Sequence, residues 1–332
     1  MTNDPERLLT YAHGLKGMSR RRFLTGSALG LALATDLFVT RQIQEAREEF
    51  TIIPVEDEYA DATFPNARWI LFPGYKTSWE EGVWIMNSLR PVLSRRARLA
   101  VMGYSNRGLD ISTIVGSLRR YIRTQQIDTL YFYGHSFGGM VAVEVASRLR
   151  EVGIDVRFIL LDSSPHDRFD VIDQAMFDGV VYLYEAGYRV PTVLRGSYEL
   201  AERIVHKNER TWSQIVDQTL EQLSPLAPSS VLIQSQASYI FHYNVARFSL
   251  GSSTELAFIG NPNDGTVDYA TARPGWAAAF PDSMVSADLI TEGALPPHAS
   301  PQWNPLIYQA VVRELQQEFL PIPTGGAVKS IS

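Results

Sequence analysis

The chain has 332 residues with no cysteine, 30 Lys and Arg against 36 Asp and Glu, and a net charge of −6. Disulfides, thiolate nucleophiles, iron–sulfur clusters, Cys-based zinc sites and a Cys-linked lipoprotein anchor are thereby excluded, and the acidic balance gives no electrostatic footprint for nucleic acid. A composition 45% hydrophobic and 20% charged is that of a folded globular protein, and the length suits one large α/β domain or two smaller ones.

The first distinctive stretch is Ser19-Arg20-Arg21-Arg22-Phe23-Leu24, followed by the mild apolar run Thr25 to Ala34. The run is short for a bilayer span, and Ala32-Leu33-Ala34 is a small-x-small site of the kind signal peptidases cut. The order of motif, apolar run and cut site resembles a twin-arginine export signal. This implies recognition by the twin-arginine machinery and an exported protein, either periplasmic, in the cell envelope or secreted. An uncleaved signal would leave a membrane anchor, and a plain basic N-terminal helix would leave the protein cytoplasmic. Residues 1–34 are set apart from the folded domain, expected over 35–332.

From about residue 66, apolar runs alternate with helical patterns. Trp69–Phe72, Leu99–Met102, Leu130–Tyr133, Phe158–Leu161 and Leu256–Ile259 each end in Gly, Pro, Asp or Asn, and residues 284–290 form a weaker sixth run. Continuous short apolar runs suit strands buried on both faces, as in a parallel sheet. Between them, Ile111, Ile114, Val115, Leu118 and Ile122 recur at helical spacing, as do Val141, Val145 and Leu149. Trp303, Leu306, Ile307, Ala310, Val311 and Leu315 make a stripe near the C-terminus. The alternation predicts a mostly parallel central sheet flanked by helices. Residues 166–249 break it with helix-like, aromatic-rich sequence, read as a helical cap insertion over the carboxyl ends of the strands. Residues 321–332 read as a frayed tail.

Gly134-His135-Ser136-Phe137-Gly138-Gly139 lies between the third apolar run and the helical pattern after it. G-x-S-x-G alone is a weak signal, but a strand before it and a helix after it make a nucleophile elbow. Glycine at 134 and 138 removes Cβ atoms that a tight turn cannot hold. The turn also places the Ser136 hydroxyl at a helix N-terminus, where the macrodipole favours developing negative charge.

On these residues the chain resembles the α/β-hydrolase family over roughly residues 65–320. The resemblance implies a triad in the chain order Ser, acid, His. Asp264, in Asp264-Gly265-Thr266-Val267 after the fifth run, matches the family's acid position, with Asp268 a neighbour able to substitute. Asp162, ending the fourth run, is the alternative acid of some thioesterase-type members, and residues 140–149 also look thioesterase-like. His298, in Leu295-Pro296-Pro297-His298-Ala299-Ser300, matches the base. His13 lies in the leader, His135 is the variable elbow residue expected to point away from the hydroxyl, and His166, His206 and His242 fall in or beside the insertion. The implied oxyanion donors are the backbone N–H groups of Phe137 and Tyr75, the latter in Pro73-Gly74-Tyr75 after the first run. No cofactor is implied and no metal-ligand spacing such as H-E-x-x-H occurs.

The expected activity is serine hydrolysis of an ester or related acyl bond in a small-molecule substrate. A thioesterase for carrier-bound or CoA acyl groups is the alternative, and a non-catalytic hydrolase fold used for binding is a third reading.

Overall fold

The computed structural model describes residues 42, 45–172, 227–285 and 289–320. The leader, the tail and most of the insertion, residues 173–226, lie outside the described residues.

The elements run β1 (Thr51–Val55), α1 (Glu58–Thr63), β2 (Ala67–Phe72), α2 (Trp79–Leu93), β3 (Arg98–Gly103), α3 (Ile111–Thr124), β4 (Thr129–His135), α4 (Phe137–Arg150) and β5 (Phe158–Asp162). The last helix of the 166–249 stretch is α5 (Ser230–His242), and β6 (Glu255–Gly260), α6 (Tyr269–Ala279), β7 (Leu289–Ile290) and α7 (Pro305–Phe319) follow it. The strands form one sheet in the order β1-β3-β2-β4-β5-β6-β7, with β1 antiparallel to β3 and every other pair parallel.

The five strong apolar runs are β2 to β6, and their residues are buried on both faces of the sheet. Each face carries its own core. One packs Ile70, Phe72 and Phe132 against α3, α4, α5 and α6, and the other packs Trp69, Leu71 and Tyr133 against α2 and α7. Helix α4 is buried on nearly every side, because it follows the central strand and is wrapped by α3 and the sheet.

Three differences from the sequence pattern have physical reasons. Strand β1 is mostly exposed or half-buried and is interrupted by Pro54, so its short Ile52-Ile53 pair does not read as a buried strand; proline is tolerated there because the strand lies at the sheet's edge. The sixth run pairs over only two residues, Leu289 and Ile290, with a separate bridge at Met284. In α7 the buried face is Tyr308, Val312 and Leu315, while Leu306 is 80% exposed. Tyrosine interrupts the apolar stripe on paper, but its ring packs inward and its hydroxyl finds a backbone partner.

The parallel strands all point their carboxyl ends the same way. The loops after β2, β4, β5, β6 and β7 therefore emerge along one edge of the sheet, where ligands meet open α/β folds.

Candidate active site

The turn after β4 is the most constrained piece of backbone in the region. Ser136 sits at φ 52, ψ −124, a left-handed conformation that a side chain rarely adopts. Its N–H donates to the Asp162 carbonyl at 2.8 Å, and its own carbonyl accepts from Gly139 at 2.9 Å. A Cβ on Gly138 would overlap the Phe72 carbonyl oxygen, and one on Gly134 would lie 2.7 Å from the Gly139 nitrogen. The expected need for glycine at both positions is thus visible as backbone against backbone. The strain is held by strands on either side, as functional turns require.

Ser136 is 8% exposed, and its Oγ lies 2.8 Å from Nε2 of His298, 162 residues further along the chain. Nδ1 of His298 lies 2.8 Å from Oδ2 of Asp264. The Asp264 side chain is 2% exposed and that of His298 is 21%. The other carboxylate oxygen, Oδ1, accepts the N–H groups of Thr266 (2.8 Å) and Val267 (3.0 Å). The D-x-x-V loop therefore turns back on its own aspartate and aims Oδ2 at the imidazole. The base loop is pinned in turn. Ser300 N donates to the Tyr308 hydroxyl at 2.8 Å, and Asn304 Nδ2 donates to the Leu295 carbonyl at 3.1 Å. Nothing in the sequence marks Tyr308, which there is one more aromatic beside a helical stripe.

The two other acids have different surroundings. Asp268 accepts from Ala270 N at 2.9 Å and caps α6. Asp162 is wholly buried, its Oδ2 accepts from the Tyr133 hydroxyl at 2.8 Å, and its Oδ1 has no partner among the described residues. Burial pushes its carboxyl up to about 7, against the opposing hydrogen bond from Tyr133 and the nearby His298.

His135, the variable elbow residue, lies between the base loop and the loop after β2. Its Nε2 lies 2.8 Å from the Ala299 carbonyl, next to His298. A carbonyl only accepts, so Nε2 carries the proton and Nδ1 is bare. Nδ1 faces Gly74, where a Cβ would lie 2.7 Å from it. Burial, and then the neighbouring His298, push the His135 imidazole down to about 4, so it is neutral at ordinary pH.

The loop after β2 lies directly against the elbow, since a Cβ on Gly138 would also come within 2.7 Å of the Pro73 carbonyl oxygen. Phe137 opens α4, and a first-turn helical N–H has no acceptor within its own helix. Tyr75 and Lys76 form the tip of the neighbouring turn, with Lys76 at φ 62. The Lys76 N–H donates to Oε1 of Gln236, on α5, at 3.2 Å. Gln236 is fully buried and its Nε2 has no partner among the described residues, an arrangement that typically costs about 1–3 kcal/mol. Nothing in the sequence marks this glutamine, because its contact spans 160 residues.

Of the histidines in or beside the insertion, His166 pairs its Nδ1 with Asp170 at 2.6 Å, beside the acid loop. Burial opposes the charged imidazole, but the hydrogen bond and charge of Asp170 outweigh it and raise the His166 pKa. Together with Asp167 these are the one group among the described residues whose donor atoms lie close enough for a metal ion. Asp170 is already engaged by His166 and by the Thr271 hydroxyl, and so reads as a structural tie between loops. His242 ends α5, while His13 and His206 lie outside the described residues.

Chemically, the geometry joins a hydroxyl, an imidazole and a carboxylate in series, at a helix N-terminus and beside the loop after β2. That arrangement can activate an oxygen nucleophile without a cofactor.

Comparison with known proteins agrees with this topology. The family model Thioesterase domain matches residues 91–177, about a quarter of the chain, from α2 through the elbow and past β5. No curated protein matches the sequence. Among solved structures, a hydrolase from Oleispira antarctica superposes with a TM-score of 0.56 at 10% identity, covering 84% of this chain and 97% of that one. A lipase-esterase related protein from Clostridium acetobutylicum gives 0.54 at 12% identity, covering 81% and 99%. A carboxylesterase from the ammonia-oxidizing thaumarchaeon Nitrososphaera gargenis gives 0.54 at 11% identity, covering 82% and 95%. At such identities the likeness concerns the fold, and the chain has the α/β-hydrolase fold.

Proposed function

We propose that this protein is a serine hydrolase that cleaves an ester or related acyl bond through Ser136, His298 and Asp264. The observation that carries the reading is the unbroken hydrogen-bond series from Ser136 Oγ through both nitrogens of His298 to a carboxylate held by two backbone donors. A binding protein has no need of that series.

On this reading Ser136 Oγ attacks the acyl carbon and His298 Nε2 takes the hydroxyl proton. Asp264 keeps the proton on Nδ1 and stabilises the imidazolium without itself becoming protonated. The tetrahedral oxyanion takes hydrogen bonds from the N–H groups of Phe137 and Tyr75. Its collapse expels the alcohol, which leaves with the proton from Nε2. Water then attacks the acyl-enzyme with His298 again as base, releasing the acid and restoring Ser136. Asp162 and Asp268 stand aside, the one buried against Tyr133 and the other capping a helix.

A thioester is the second reading of the substrate, favoured by the thioesterase-domain match over 91–177. The chemistry at Ser136 is the same, with a thiolate as leaving group. The twin-arginine-like segment at 19–34 supports export to the cell envelope or beyond, away from cytoplasmic acyl carriers, and so favours the oxygen ester.

The test is labelling of the purified full chain with a fluorophosphonate, then peptide mapping. Label at Ser136, lost in His298→Ala, together with hydrolysis of short acyl esters that disappears in Ser136→Ala, is the expected result. Well-folded protein that neither labels nor hydrolyses overturns the reading. Turnover of an acyl-pantetheine thioester well above that of the matching oxygen ester selects the second substrate class.

A further inference from the structure

Helix α5, which closes the described part of the insertion, is tied to two loops by neighbouring side chains. Ser235 Oγ accepts the Leu109 N–H at 2.8 Å, and Gln236 Oε1 accepts the Lys76 N–H at 3.2 Å. One turn later the Tyr239 ring meets the Phe137 ring edge-on, with centroids 5.7 Å apart. One helix thus touches both the turn that carries Tyr75, through Lys76, and Phe137, the residue after Ser136.

The turn itself explains why a tie is needed. Thr77 N donates to the Gly74 carbonyl at 3.3 Å, so Tyr75 and Lys76 are its two central residues. Lys76, at φ 62, carries a side chain in a conformation that glycine normally fills, and such strain persists only when the surroundings fix it. The Tyr75–Lys76 peptide is the group whose orientation separates the two common turn types. Its N–H is the one that Gln236 accepts. Without that acceptor the peptide can flip and carry the Tyr75 carbonyl with it, in the residue whose own N–H is the candidate donor. Packing alone does not account for glutamine here. Methionine fills a similar volume without burying an amide NH2 that has no partner among the described residues. Stability given up beside a site of chemistry is what a working residue leaves behind.

We propose that Gln236 is a positioning residue of the reaction: by holding the Lys76 N–H it fixes the turn in which Tyr75 is the first central residue, so that the Tyr75 carbonyl cannot flip and the Tyr75 N–H, in the preceding Gly74–Tyr75 peptide, keeps its place beside the developing oxyanion; this makes the insertion's last helix part of the hydrolytic machinery. The inference rests on the serine-hydrolase reading above.

The test uses the full chain and four readouts: hydrolysis of p-nitrophenyl butyrate, the rate of fluorophosphonate labelling, affinity for an alkyl boronic acid that mimics the tetrahedral adduct, and thermal melting. Gln236→Met is expected to lower kcat about tenfold or more with KM within about twofold, the pattern of a contact that matters in the transition state. Boronate affinity falls by the same factor, labelling slows, and Tm does not drop. Ser235→Ala removes the same kind of tie between the same helix and a different loop; it lowers Tm and leaves kcat within about twofold. Gln236→Asn, one methylene short of Lys76, falls between wild type and Gln236→Met, and decides the matter if the latter does not fold. Unchanged kcat and boronate affinity at position 236, or an equal loss in Ser235→Ala, overturns the proposal while leaving the hydrolase reading intact. Wild-type protein that neither labels nor hydrolyses overturns that reading first, and is seen before any variant is made.

Discussion

The sharpest stability test of the site is Gly138→Ala, set against Gly116→Ala. At Gly138 the new methyl would overlap the Phe72 carbonyl oxygen, and would lie 2.6 Å from the Phe72 carbonyl carbon and 2.7 Å from the Pro73 oxygen. Carbon atoms in good contact sit about 3.5–4.0 Å apart, so the β2 end and the elbow must separate by about 1 Å. All three obstacles are backbone, and no rotamer change relieves them. Overpacking of this kind costs about 1–3 kcal/mol, and the rigid neighbours put this case at the upper end. The same displacement moves the loop bearing Tyr75 away from Ser136, and a misplacement of about 1 Å is worth about a hundredfold in rate. Gly138→Ala is therefore expected to fold with a lower Tm and to lose about two orders of magnitude in ester hydrolysis. Gly116 lies in α3, and a methyl there would have nothing within 4 Å, so Gly116→Ala is expected to stabilise by about 0.5–1 kcal/mol with unchanged activity. Melting by calorimetry and hydrolysis rates read both. A Gly138→Ala protein with wild-type kcat would refute the argument that the elbow and the β2 loop form one rigid unit.

Two further predictions separate the three aspartates. Asp264→Asn is expected to lose about 10³–10⁴ in kcat, because an amide no longer fixes the His298 tautomer, whereas Asp268→Ala gives up only its helix cap, about 1 kcal/mol, and keeps its rate; comparable losses in the two variants would reassign the acid. Asp162 gives a test by pH. Its carboxyl is held at about 7 by burial, so the folded state keeps a proton that the unfolded chain releases near 3.8. The unfolded state then binds fewer protons, and folded stability falls as pH rises through this window, by about 1.4 kcal/mol per unit. Asp162→Asn does not titrate, so its stability relative to wild type climbs by about 4 kcal/mol between pH 4 and 7 and is level above. His135, held at about 4, works in the opposite direction but is present in both proteins and cancels. A pH-independent difference in urea melts would show that Asp162 is ionised in the fold.

Much of the fold is legible in the sequence because its strands are buried on both faces. Five apolar runs, each stopped by a turn residue, correspond to β2 to β6 with boundaries shifted by one or two residues. Strand β1 escapes because an edge strand broken by Pro54, with only Val55 buried, has neither a long run nor alternation to read. Ser136, Asp264 and His298 are legible for a different reason: each follows a strand of a parallel sheet, and topology brings successive loops to one edge whatever their separation in sequence. The supports are not legible. Gln236 reaches Lys76 across 160 residues, Tyr308 reaches Ser300 from the next helix, and His135 reaches Ala299 across 164. Each is one polar group making one tertiary bond, which leaves no periodic trace.

The choice among the acids is at bottom a matter of who satisfies each oxygen. A carboxylate beside an imidazole serves only while it is ionised, and ionisation inside a protein needs donors on its oxygens. Asp264 has two backbone N–H groups on Oδ1 and the His298 imidazole on Oδ2, so both of its oxygens are partnered. Asp162 lies one strand nearer to the serine, yet no backbone N–H among the described residues is placed on its carboxylate, and burial outweighs the tyrosine hydroxyls beside it and pushes it up to about 7. Below about pH 7 a protonated Asp162 adds no second negative charge to the site. Moving the acid one strand toward the serine would therefore take more than an aspartate at the right strand end. It would take a loop that folds its N–H groups back onto the carboxylate, and in the described structure that is the loop from Asp264 to Val267.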